Sequence, residues 1–357
     1  MPWLPWATTF VRPHGRSPIH PNVLASITAL ALTAAANAGT IDPLAFQWAT
    51  IGDPGNAPYT GPNNILVPEL GSVSYEYRIS RLETTTAQWA EFLNSVKTYD
   101  RFLALNMSSV RWGGGLDAND NFVVGPGDAA LYPVGGMSWR EAAMYVNWLH
   151  NDKADERRAI EDGAYDISTF SNVGVHFIDQ LTHHPDAKYW IPTLDEQFKA
   201  FYFDPNKDGP GAPGYWSYPH SSDEPPVGGP PGTGESTADW VSKDAWATAL
   251  GAYSDVQSPW GLWDTSGGVT ELSEGVVLYN GAPRWRLFNG AYAGRDSHLT
   301  EDEIRNFDIV NPGSHYPNQG LRIATRVPEP GAFPIVFLCA SSLAQRRRST
   351  APSCARN

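Results

Sequence analysis

The chain has 357 residues, 41% of them hydrophobic and 12% aromatic, enough to fill a large packed core. Its two ends hold six of the 25 basic residues but one of the 38 acidic ones, which leaves 19 basic and 37 acidic residues between them, a net charge of −18. A body of that sign repels nucleic acid and suits cations or neutral partners. Both cysteines, Cys339 and Cys354, lie near the C-terminus, so the body has no disulfide framework, thiolate zinc site or thiol nucleophile.

In chain order, Val23–Ala36 is a short apolar run behind Arg12 and Arg16, and Ala36-Asn37-Ala38 gives a small-residue cleavage pattern. Residues 1–38 are predicted to be a signal peptide. Residues 39–71, rich in Pro, Gly and Asn, read as a leader loop. Ser72–Ile79 alternates as a strand.

Three helix starts share one device. Thr85-x-x-Gln88, Ser138-x-x-Glu141 and Thr193-x-x-Glu196 are capping boxes, in which side chains satisfy the free amides of a first turn. Apolar stripes at helical spacing follow: Trp89, Phe92, Leu93 and Val96; Ala142, Tyr145, Val146 and Leu149; Phe198, Phe201 and Tyr202. These aromatics are expected in the core. His176, His183 and His184 form a loose histidine cluster without HExxH or a cysteine partner, which favours a surface turn over a metal centre. Residues 204–234 make a long Gly/Pro-rich loop and a candidate contact surface.

Gly261–Glu274 (GLWDTSGGVTELSE) places Asp264 and Glu271 on either side of Gly267-Gly268. Carboxylates beside glycines that turn the backbone and present carbonyls suit Ca²⁺, which takes about 6–8 oxygen ligands. Spacing alone favours a solvated polar turn between strands, because this is no EF-hand.

The segment resembles the GLYDMxGNVWEW signature of the formylglycine-generating (sulfatase-modifying factor) enzyme family. RLETTTAQWAEFLNSV, YPVGGMSWREAAMYVNWLH and YWIPTLDEQFKAFYFDP are similar to further landmarks of that family in the same order, over about Tyr75–Ala324. The resemblance implies an α+β, loop-rich fold related to C-type lectin-like folds, with few short helices and strands, over residues 72–326. It also implies two calcium sites. The first would use the side chains of Asp239 and Asp244 with the carbonyls of Trp240 and Trp246. The second would use the side chains of Asp264 and Glu271 with the carbonyls of Gly267 and Val269. The family's Asn after the first glycine is Gly268 here, and the Trp residues flanking its Glu are Thr270 and Leu272.

Enzymes of this family work through a cysteine pair after a "GGS" motif. Asn289-Gly290-Ala291-Tyr292 matches "GGSY", and the cysteine positions fall on Gly294 and Leu299, which bind no copper. Gly320–Ala324 matches the closing "GFRVA" and anchors the register. Formylglycine generation is therefore not expected. The expectation is a calcium-stabilised binding or surface-matrix module, with an oxidoreductase using a different iron or copper site as the alternative.

Residues 327–357, with Val327-Pro328-Glu329-Pro330, an apolar run and Arg346–Arg348, resemble a PEP-CTERM sorting tail of exported bacterial proteins. Membrane contact is expected only through the two end segments. The partner is expected to be a protein or polysaccharide at the cell surface.

Overall fold

A computed structural model describes residues 41–61, 69–294 and 299–328, with the side chains of Leu299 and Thr300 excepted. Backbone contacts divide the chain between Ile41 and Asp42, and every helix and strand named below belongs to the second unit. The segment expected to be a signal peptide and the tail from Glu329 onward lie outside the described residues.

The architecture is mixed α+β, with short elements joined by long connections. In chain order it runs β1 (Trp48–Ile51), β2 (Tyr77–Ser80), α1 (Thr86–Tyr99), α2 (Arg101–Asn106), β3 (Gly114–Leu116), β4 (Phe122–Val124), α3 (Trp139–His150) and α4 (Arg158–Glu161). There follow β5 (Asn172–Val173), β6 (His176–Phe177), β7 (Tyr189–Trp190), α5 (Leu194–Tyr202), β8 (Phe203–Asp204) and β9 (Gly214–Tyr215). The chain then makes β10 (Thr270–Tyr279), β11 (Ala282–Asn289), β12 (Asp308–Val310), β13 (Gln319–Gly320) and β14 (Ala324–Arg326). One four-stranded sheet has the order β1-β2-β14-β7 and the other β12-β11-β10-β13.

All three capping boxes form, with Thr85, Ser138 and Thr193 accepting from the N3 amide and Gln88, Glu141 and Glu196 reaching back. The stripes behind them are buried. Trp89 meets Tyr145 at 5.5 Å and Phe92 meets Trp148 at 5.4 Å, so α1 and α3 pack through aromatics. Burying each such side chain contributes roughly 1.5–3 kcal/mol. Trp139 Nε1 donates to Ser273 O at 3.0 Å, and Gln197 Nε2 to Glu271 O at 3.3 Å. These bonds seat β10 on α3 and α5, which fixes the glycine-rich turn that precedes it.

Two sequence expectations change. The 39–71 stretch is not all loop: Trp48–Ile51 pairs antiparallel with β2, burying Ala49 and Ile51. Four alternating residues amid Pro and Gly give too short a signal to read. The strand expected over Ser72–Ile79 begins only at Tyr77. Ahead of it, Val73 N and Ser72 Oγ bond to Asn56, and Gly55 N to Val73 O, so that backbone closes a turn instead of a ladder.

Candidate functional site

The glycine-rich turn enters β10 with Asp264, Gly267 and Gly268 all at positive φ (53°, 86° and 58°). A Cβ at Gly267 would stand 2.4 Å from Thr237 Oγ1, and one at Gly268 would stand 2.6 Å from both carboxyl oxygens of Glu83. The glycine at 268 thus leaves room for a buried carboxyl that sequence reading did not single out. Glu83 Oε1 accepts Val269 N at 3.1 Å, while its Oε2 is buried without a partner.

Arg322 ties this turn to the rest of the fold. Its Nε donates to Glu271 Oε1 at 2.7 Å. Nη2 donates to the carbonyls of Trp263 (2.6 Å) and Asp264 (2.9 Å), and Nη1 to that of Arg81 (2.6 Å). Gln197 Nε2 reaches Glu271 Oε2 at 3.3 Å, and Gly251 N donates to Asp264 Oδ2 at 2.6 Å. Burial pushes the Asp264 carboxyl up to about 6 and raises those of Glu271 and Glu83. Of these three acids only Glu271 bonds the Arg322 guanidinium through its carboxylate, Asp264 offering it a backbone carbonyl, and a divalent cation would offset negative charge on the other two. Among the described residues no three His, Cys, Asp or Glu side chains group so as to hold a metal. A calcium ion here would rest on Asp264 and Glu271 together with the carbonyls of Gly267 and Val269, a hard-oxygen set of the kind that fits it.

The first set spans residues 239–246, with Asp244 and Trp246 in a 3₁₀ turn and Asp239 and Trp240 ahead of it. Asp239 is half-buried at φ 57°, and Asp244 is exposed in the 3₁₀ turn Lys243–Ala247. Ser242 N donates to the Trp240 carbonyl at 2.7 Å. The indole of Trp246 lies under the Arg111 guanidinium (4.3 Å) and beside Tyr292 (5.9 Å).

That indole also decides the fate of the first cysteine position. Gly294 has φ 76°, and a Cβ there would sit 2.8 Å from Trp246 Nε1. The space into which a thiol would project is filled, and the backbone is left-handed, which disfavours a side chain in any case. Gly294 N bonds to Thr237 O and Ala293 N to Gly268 O, so this segment docks on the glycine-rich turn. Leu299 opens the 3₁₀ turn Leu299–Asp302. Asp302 at its end is fully buried, accepting Ala291 N and Ser266 Oγ, each at 2.5 Å. Burial pushes its carboxyl up to about 7. Nothing in the acidic run TEDE marks it in the sequence.

Beside this segment a cleft of about 300 Å³ opens, lined by Thr270, Phe288, Asn289, Tyr292, Asp308 and Asn318 among others. The residues 204–234 carry the β8–β9 hairpin, and the loop beyond it is pinned where Tyr253 OH donates to Gly229 O at 2.7 Å.

The histidines have separate partners. His183 Nδ1 lies 3.0 Å from Glu274 Oε1 and its ring stacks on Trp190 at 4.6 Å. His176 stacks on Tyr279 at 6.2 Å, and His184 Nδ1 accepts Asp186 N at 3.1 Å.

Residues 53–327 match the model of the sulfatase-modifying factor enzyme 1-like domain. The chain belongs to that family. Among solved structures, the family fold is shared with Treponema denticola variable protein 1, at 14% identity and TM-score 0.50, covering 79% of this chain and 95% of that one. CarF aligns at 18% identity and TM-score 0.48, covering 80% of this chain and 100% of that one. PvdO from Pseudomonas aeruginosa aligns at 14% identity and TM-score 0.39, covering 79% and 92%. No curated protein sequence matches the chain.

Proposed function

We propose that this family member is an exported binding module, stabilised by calcium and without formylglycine-generating activity. The observation that carries the reading is at Gly294, where the Trp246 indole fills the room that a catalytic cysteine would need. The cleft at the end of β10 and β11 takes over as the binding site, for a protein or polysaccharide ligand at the cell surface. Its lining mixes amides, two carboxylates and aromatic rings, the convergent polar groups beside apolar rings that ligand sites use. Calcium sits at the Asp239/Asp244 and Asp264/Glu271 sets, where it offsets buried or clustered carboxylate charge. Export through the N-terminal segment, with a sorting tail of the PEP-CTERM type, takes the domain to the periplasm, the surface or outside the cell.

Elemental analysis, thermal melts and array capture test this reading. Elemental analysis of protein from calcium-containing medium is expected to give about two calcium ions per chain, with neither copper nor iron, and EDTA is expected to lower the thermal midpoint. Stoichiometric copper or iron, or an aldehyde formed in a cysteine-containing peptide, would overturn it in favour of an oxidase. Rim substitutions Asp308→Ala and Asn318→Ala should weaken capture on glycan and peptide arrays by about tenfold without moving the midpoint, a loss of about 1.4 kcal/mol. Capture that ignores both substitutions would remove the cleft from the proposal.

A further inference from the structure

Away from the cleft, two hairpin tips lie side by side. The β5–β6 hairpin turns at Gly174 (φ 64°), and the β10–β11 hairpin turns through Asn280 and Gly281 (φ 51° and 77°). The stacking of His176 on Tyr279 joins the two tips. On them Val173 (62% exposed), Val175 (55%), Leu278 (58%) and Tyr279 face solvent, and Ile178 (56%) and Leu181, just after β6, do so too. Scattered exposed apolar residues are ordinary, but four on two adjoining tips with two more just after β6 form a patch that calls for an occupant.

The patch is held outward by a rigid base. The buried Arg286 guanidinium stacks on Trp139 at 3.6 Å and donates to the carbonyls of Gln180, Leu181 and Glu274. The β5–β6 hairpin is thereby clamped to β11, so its aliphatic residues cannot fold back into the core.

Charge and area narrow the occupant. The body is strongly acidic, yet the only acid in residues 170–182 and 276–286 is Asp179, whose side chain is fully buried against Arg140. Arg284 lies over the rings of Tyr279 (4.5 Å) and Trp285 (4.1 Å), a cation held at the edge of the apolar tips. Six side chains so exposed offer on the order of 500 Å², less than the ~800 Å² per partner of a standard protein interface. Apolar tips ringed by amphipathic aromatics and an arginine match the boundary between acyl chains and headgroups, where rings sit half-wet and a guanidinium meets phosphate.

We propose that the adjacent β5–β6 and β10–β11 tips dock the domain on a lipid bilayer, the aliphatic side chains entering the acyl boundary and Arg284 meeting headgroup phosphates. The inference uses a different surface from the cleft and does not depend on what the cleft binds. The test is flotation of the full chain with phosphatidylcholine vesicles, with and without phosphatidylglycerol. Val175→Ser with Leu278→Ser should lower vesicle partitioning about tenfold with an unchanged thermal midpoint, and Arg284→Gln should remove only the gain from phosphatidylglycerol. Asp308→Ala in the cleft should change neither. No vesicle binding, or binding that the double substitution leaves undiminished, would overturn the proposal. So would self-association in sedimentation equilibrium that the same double substitution abolishes, which would assign the face to a second copy of the chain.

Discussion

At the residue scale the buried carboxyl of Asp302 sets a pH dependence. Its folded value of about 7 lies above that of an unfolded aspartate, so its contribution to stability is complete below about pH 4 and is lost as pH rises through about 7. Asparagine mimics the protonated form: its carbonyl can accept Ala291 N while its amide faces Ser266 Oγ. Asp302→Asn is therefore expected to leave stability near pH 4 almost unchanged and to raise it near pH 8 by up to about 3–4 kcal/mol. Chemical denaturation at the two pH values reads this directly, and an equal shift at both would rule out Asp302 as its source. The residue scale is also where the sequence was least informative. Glu83 and Asp302 look like solvated acids until the turns around Gly268 and Ala291 close over them, because burial is decided by contacts far along the chain.

At the scale of the element, the capping boxes were legible because their geometry is local: four residues determine who bonds whom. What they could not show is that the three are unequal. Gln88 serves its own cap, its Oε1 accepting the Thr85 amide, whereas the buried Glu196 does more. Its Oε2 accepts Thr193 N and Trp190 Nε1, and its Oε1 accepts Tyr75 OH at 2.9 Å. Tyr77 OH adds a bond to the Glu196 carbonyl. The carboxylate of α5 thus holds β7 and the approach to β2 as well as its own first turn. Gln88→Ala should cost about 1 kcal/mol, as a cap does, and Glu196→Ala about 3 kcal/mol or more, since buried donors lose their acceptor. Thermal melts of the two variants compare them, and equal losses would mean that Glu196 acts as a cap alone. The short elements were the opposite case: β1 and the two-residue strands are too short to carry a readable periodicity and exist because a neighbouring strand supplies hydrogen bonds.

At the scale of the whole molecule, Arg322 gathers the sequence's distant landmarks. One guanidinium joins the end of β2, the glycine-rich turn and the start of β10, segments that lie up to 241 positions from Arg322 in the chain. Lysine keeps the charge but not the planar fork, so Arg322→Lys is expected to destabilise by roughly 3–5 kcal/mol. Hydrogen exchange should show the loss at Trp263–Glu271 first; uniform loss across the fold would place the clamp elsewhere. The amino-acid order by itself determined the family and its α+β fold, the three capped helices with their buried stripes, and the absence of thiols from the body. Those follow from local periodicity, composition and motif order, which survive without coordinates. Only the tertiary structure decided that Trp246 fills the space beside Gly294, that Glu83 and Arg322 meet at the glycine-rich turn, that the histidines keep separate partners, and that two hairpin tips share an apolar face. Each of these is a close approach between segments remote in sequence, and steric exclusion, burial and charge compensation have no value until the chain has folded.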